Sequence, residues 1–323
     1  MKRMLALLVT VLMVCVCALS LAESAPRVIA LKGPTAMGMV QLMDRVDNGD
    51  LKDAGYSFTI AAAVDEVTPQ IAQGNVDIAA VPANLAAVLY NKTEGGVKVI
   101  GVNTLGVLYI VENGESVQSV EDLRGQTIYA SGKGATPEYA LNYILSANGI
   151  DPEKDVTIEW KSEHAECLQT LIASGSGIAM LPQPFVTTAQ TKLESLRVAL
   201  DLTEEWDKLQ ADAENPSGLL TGVVIARTAY IDENPEALAA FLDAYKISVD
   251  FVSSDVEAAA ALVGAYDIVP EAVAVKAIPA CNIVLIEGGE LKDKLSGYLS
   301  VLFEQNPASV GGQLPADDFY FAR

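Results

Sequence analysis

Two segments of this chain spell the same unit. Ile71-Ala72-Gln73-Gly74 leads to Ile78-Ala79-Ala80-Val81-Pro82, and Ile172-Ala173-Ser174-Gly175 leads to Ile178-Ala179-Met180-Leu181-Pro182. Each reads as a helix end, a glycine stop, a short run that is apolar at every position, and a proline. Such a run is a strand covered on both faces, which is how strands of a parallel sheet read. Covering both faces takes helices, so the unit belongs to a βα alternation. Any βα unit has some of this look. The spacing of the two copies, with the second one residue shorter, is what points to two similar lobes.

The alternation runs the length of the chain. Arg27 to Leu31 is an apolar strand, and Gly33-Pro34-Thr35 breaks it, with Thr35 placed to cap a helix. Met39, Leu42, Met43 and Val46 then mark a helical face. Strands follow at Tyr56–Ala62, Val76–Val81 and Val97–Val102, separated by helices at Val67–Ala72 and Leu85–Tyr90. Leu105 to Glu112 reads as one more strand, after which the pattern restarts. Strands at Thr127–Ala130, Val156–Trp160, Gly177–Leu181 and Leu196–Leu200 enclose helices that begin near Thr136 and Cys167. Thr136 is placed to cap its helix, with Pro137 at the first position. Leu219 to Ala226 reads as a strand returning to the first lobe, and the rest to Arg323 is mostly helical. Strands alternating with helices predict parallel βαβ units and an α/β fold. Two crossings then place lobe one at 27–106 plus 219–323 and lobe two at 107–218, joined by two crossing strands with a cleft between them.

The N-terminus reads as an export signal. Lys2 and Arg3 precede an almost wholly apolar run from Leu5 to Leu21, and Ser20-Leu21-Ala22 offers small residues to a signal peptidase. Residues 1–22 are expected to be a signal peptide cut after Ala22 rather than a membrane anchor, because the run is at the short limit for a span. Neither Cys15 nor Cys17 follows the small residue that lipid attachment requires, so a freely exported form is expected. The chain carries 21 basic and 42 acidic residues, a net charge of −21. That acidity argues against nucleic acid and against an anionic membrane surface. It leaves room for an anionic ligand, since a local pocket can oppose the global field. Beyond the leader only Cys167 and Cys281 remain, on different lobes: two buried thiols, or a disulfide. No Cys–His spacing suits a metal, and no cofactor motif is evident.

The order of several short motifs resembles the solute-binding proteins of nitrate/sulfonate/taurine-type ABC importers, which overlap the thiamine-pyrimidine precursor binders. The motifs are Leu31-Lys32-Gly33-Pro34-Thr35, Gly74-Asn75-Val76-Asp77-Ile78-Ala79 and Val120-Glu121-Asp122-Leu123-Arg124-Gly125. Ser131-Gly132-Lys133-Gly134-Ala135-Thr136 and Leu181-Pro182-Gln183-Pro184 extend them. The resemblance implies a type II periplasmic-binding-protein fold, closure on a small-molecule solute, and docking of a monomer to an ABC permease. Two departures bear on the substrate. Gln183 stands where the family usually has an acid, and the cysteine-rich run of the fungal pyrimidine-precursor synthases is absent.

Ligands of open parallel α/β sheets bind beyond the carboxyl ends of the strands. That rule selects Gly33, Pro34 and Thr35 after the first strand, Asn84 after the Pro82 turn, and Thr104 and Thr221 at the two crossings. In lobe two it selects Lys133, Gly134, Ala135 and Thr136 at a helix start, and Gln183 and Phe185 after Pro182. Free amides beside Lys133 favour a carboxylate, sulfonate or phosphate. His164, the one histidine of the chain, reads as an exposed helix-start residue or as a contributor to a pocket. Trp160 reads as core or as a stacking platform. One histidine and no nucleophile elbow leave no catalytic set. The reading is therefore a binding protein, with a sensory ligand-binding module or a pyrimidine-precursor synthase-like enzyme as alternatives.

Overall fold

A computed structural model describes residues 25–213 and 216–323. The leader expected at 1–22 lies outside them. The strands are β1 (Arg27–Leu31), β2 (Ser57–Ala61), β3 (Ile78–Pro82), β4 (Val97–Leu105), β5 (Leu108–Asn113) and β6 (Thr127–Ser131). They continue as β7 (Thr157–Lys161), β8 (Gly177–Pro182), β9 (Arg197–Asp201), β10 (Leu220–Arg227) and β11 (Ile283–Ile286). Two sheets form, in the orders β2-β1-β3-β10-β4-β11 and β7-β6-β8-β5-β9.

The repeated unit has a structural counterpart. β1 is parallel to β2 and β3, and β6 is parallel to β7 and β8. Arg27 faces Ser57 and Val28 faces Ile78 in the first sheet; Thr127 faces Thr157 and Ile128 faces Ile178 in the second. Both proline-ended strands thus hold the same place, inside the parallel half of a sheet and next to an antiparallel strand. The β3 positions Ile78 to Val81 are all buried, as their unbroken apolar run requires.

Helices cover both faces of each sheet. One apolar cluster fills the inner faces of both sheets, against helices Thr136–Ala147, Leu202–Gln210 and Gly288–Gln305. Within it the fully buried Trp206 lies 4.6 Å from the Tyr143 ring and 5.5 Å from that of Tyr298, both pairs tilted. A second cluster packs helices Val40–Asp47, Pro235–Ser254 and Val256–Ala265 onto the outer face of the first sheet. A third packs helices His164–Ser174 and Phe185–Lys192 onto the second.

Several local expectations need correcting. Leu105–Glu112 is not one strand: β4 ends at Leu105 and β5 begins at Leu108. Gly106 lies between them, and a Cβ there would come within 2.1 Å of Thr203 Oγ1. The second passage is not a single crossing strand either: β9 ends at Asp201, the helix Leu202–Gln210 follows it, and β10 begins at Leu220. β11 was unforeseen, because a four-residue edge strand among helices carries little periodicity. Neither threonine caps its helix: Gly33 and Ala135 hold those positions. Thr35 Oγ1 donates to Leu31 O at 2.6 Å, and Thr136 bonds laterally to other helices. Met37, Met39 and Met43 are all buried core, and Trp160 packs against the inner cluster. Cys167 and Cys281, by contrast, are the buried free thiols expected as one of two alternatives, the first near Met180 O and the second near Met37 Sδ.

Candidate functional site

The carboxyl ends of all six parallel strands open on one cleft of about 660 Å³. β1, β2 and β3 supply one wall from the first sheet; β6, β7 and β8 supply the other from the second. Thr104, Val107 and Thr221 lie at the passages between the sheets. The volume suits a small molecule.

Eleven of the residues selected from sequence line this cleft. They are Gly33, Pro34 and Thr35; Thr104; Lys133, Gly134, Ala135 and Thr136; Gln183 and Phe185; and Thr221. Asn84 does not. It is fully buried beside the cleft, where its Nδ2 donates to Ser309 O at 3.1 Å and Gly134 O at 3.4 Å. Its Oδ1 accepts from Thr136 Oγ1 at 3.4 Å. An asparagine after a strand-ending proline looks the same from sequence whether it faces ligand or protein.

The polar groups differ in what they still offer. Thr35 and Thr104 spend their hydroxyls on protein, the latter donating to Asn103 Oδ1 at 3.3 Å. Thr221 Oγ1 is buried with no partner among the described residues. The amides expected to be free after β6 are partly taken. Gly134 N donates to Glu138 Oε2 at 2.5 Å, and Ala135 N to Gly132 O at 3.1 Å. Glu138, in the first turn of its helix, folds back and fills the anion position with the protein's own carboxylate.

The NMT1/THI5-like family model matches residues 46–259. The chain belongs to the NMT1/THI5-like family. Its fold is also that of solved transporter components. An ABC transporter protein from Parabacteroides distasonis is 24% identical, with a TM-score of 0.75 over 93% of this chain and 100% of that one. The periplasmic aliphatic sulphonate binding protein SsuA from Escherichia coli is 14% identical, at a TM-score of 0.71 over 92% and 96%. The periplasmic nitrate-binding protein NrtA from Synechocystis PCC 6803 is 12% identical, at 0.60 over 77% and 68%. No curated protein sequence matches. These likenesses give the two-sheet architecture of type II periplasmic binding proteins, as the order of motifs implied.

Within this family member, the cleft also holds residues outside the set selected by the strand-end rule. Lys32, Lys92 and Lys161 join Lys133, against Asp65 and Glu163. Lys32 pairs with Asp267 at 3.4 Å and Lys161 with Glu159 at 3.1 Å. Among the described residues Lys92 and Lys133 have no ion pair. Ser131 and His164 line the cleft too, with Ser131 Oγ 2.5 Å from His164 Nδ1. His164 is half-buried rather than exposed, its ring 5.4 Å from Phe185, and burial pushes its pKa down to about 4. Asp65 and His164 follow the carboxyl ends of β2 and β7, and that strand-end position is their signal in the sequence.

Proposed function

We propose that the protein is an exported solute-binding protein that captures a small anionic or heteroaromatic molecule and presents it to an ABC-type permease. The observation that carries this reading is the cleft itself. Six strand ends from two sheets converge on it, and Thr221 contributes a buried hydroxyl with no partner among the described residues. A sealed hydroxyl without a partner costs free energy unless something else bonds it.

Capture by closure fits this arrangement. Lobe one, 27–106 plus 219–323, and lobe two, 107–218, would rotate about the passages at Gly106 and after Asp201. A ligand touching both walls favours the closed state by its differential affinity for that state. Among the described residues no helix is long and apolar enough to cross a membrane, which suits an exported form. Lys92 and Lys133 favour an anion in a chain of net charge −21. The sulphonate and nitrate binders of like fold also carry anions in their names. Among the described residues no carboxylate bonds to the Ser131–His164 pair to orient it as a nucleophile and base, so binding rather than turnover is the reading the residues favour.

Thermal melting of the mature protein against sulfonates, carboxylates, nitrate, thiamine precursors and riboflavin tests the reading. A ligand that binds only the folded state raises Tm by mass action. A rise for one class, with a smaller radius of gyration in small-angle scattering, supports capture by closure. Unchanged scattering at saturating ligand counts against closure, and turnover of the ligand counts against a pure binding role.

A further inference from the structure

The second-sheet wall of the cleft carries two side chains that could either donate or accept hydrogen bonds, Gln183 and His164. The protein decides for both. Gln183 Oε1 accepts from the Thr187 backbone N at 3.3 Å and from Thr187 Oγ1 at 2.9 Å. A backbone N–H can only donate, so this bond fixes which end of the amide is oxygen. The Gln183 NH2 group has no partner among the described residues, and the residue lines the cleft.

His164 is fixed by the same logic. Its Nδ1 contacts Ser131 Oγ, and Ser131 is 1% exposed with no other side-chain hydrogen bond among the described residues. If Nδ1 carried the proton, the serine hydrogen would be buried without an acceptor. If the serine donates to Nδ1, both groups are satisfied and the proton sits on Nε2. Among the described residues Nε2 has no hydrogen-bond partner, and His164 lines the cleft. Phe185 holds the ring from the side.

We propose that Ser131 and Thr187 lock His164 and Gln183 as two uncharged donors, so that this wall selects ligands presenting acceptor atoms and rejects amines and other donor-only groups. The proposal rests on solute capture in this cleft and adds the polarity of the group that enters it. Ser131 and Thr187 are positioning residues; His164 Nε2 and Gln183 Nε2 are the contacts. Specificity of this kind is strong because a mismatched ligand leaves buried polar groups unpaired.

The single histidine makes the lock measurable without any ligand. Nitrogen-15 spectra of the imidazole should show the Nε2–H tautomer near neutral pH, and Ser131→Ala should give a mixture. A dominant Nδ1–H tautomer in the wild type overturns the proposal. Binding is then measured with benzoate, methanesulfonate and nitrate as acceptor probes and putrescine as a donor probe. Gln183→Glu, which places an oxygen and a charge where the NH2 group stands, should weaken an acceptor probe at least tenfold. His164→Phe should do the same while keeping the ring packed on Phe185, and His164→Gln should recover part of the loss. Equal affinity in wild type, Gln183→Glu and His164→Phe overturns the donor wall and leaves capture standing. Binding of putrescine alone does the same. Failure of the wild type to bind any of the four overturns capture and the ligand role of the wall together, whatever the tautomer.

Discussion

Thr136 opens a helix under the second sheet, and Asn84 lies in the first turn of a helix under the first; Thr136 Oγ1 donates to Asn84 Oδ1 at 3.4 Å. The bond ties the loop after β6 to the opposite half of the fold. Tyr298 adds a second tie, its hydroxyl 3.2 Å from the same Thr136 oxygen. The loop that carries Lys133 is therefore anchored at its helix end and open at its tip.

Asn84→Ala should cost roughly 1–3 kcal/mol of stability, because Ser309 O loses its buried donor along with Asn84's other bonds. Asn84→Asp should cost more, since it sets a carboxylate oxygen against two carbonyls. Urea denaturation checks both. A loss below about 0.5 kcal/mol for Asn84→Ala would mean that water replaces the bonds freely.

Lys133→Ala should weaken binding of an anionic ligand about two- to fivefold at low salt, and by less at high salt. Its side chain is exposed, so its field is screened. Titration calorimetry at two ionic strengths reads the effect. An affinity independent of salt in both proteins would remove Lys133 from recognition.

Acid should destabilise the fold in a window set by His164. Burial lowers its pKa to about 4, below the ordinary value of 6.5, so the unfolded chain takes up the proton first. The stability from this residue is complete above about pH 6.5, falls as pH drops toward 4, and changes little below. The loss should be roughly 2 kcal/mol, allowing for the part of the ring that water reaches. Asp77 and Glu112, whose pKa values are lowered, act in a separate window, losing stability only as pH falls below the ordinary carboxylate range. In Asp77, burial opposes the shift and hydrogen bonds from Arg27 and Arg227 outweigh it. Unfolding free energies measured between pH 7 and 5 should slope in the wild type and stay nearly flat in His164→Gln. Equal slopes would show that another group titrates there.

Gly222→Ala should destabilise by about 1–3 kcal/mol, the range for forcing extra volume into a packed site. A Cβ at this β10 position would lie 2.6 Å from Asn103 Oδ1 and 2.7 Å from Thr35 Cγ2. The strain falls beneath the cleft, so ligand affinity should fall with stability. A variant as stable as wild type would indicate that Asn103 and Thr35 move aside at little cost.

The sequence by itself determined the architecture and most of the cleft's address. An unbroken apolar run such as Ile78–Val81 can be satisfied only by helices on both faces, and parallel strands so covered place their loops at one edge. Two copies of that unit therefore announced two sheets, and Gly33, Thr35, Lys133 and Gln183 followed from the strand-end rule. What only the tertiary structure decided is which polar groups remain unspent. Asn84 became an internal tie because Ser309, from the far end of the chain, offers it a carbonyl. Gly134 lost its amide to Glu138, while Thr221 kept its hydroxyl. His164 left the surface for the cleft beside Ser131 and Phe185. Burial patterns are local and periodic, so they can be read along a chain. Hydrogen-bond partners are set by distances of a few ångströms between residues far apart in sequence, and only the folded chain fixes those.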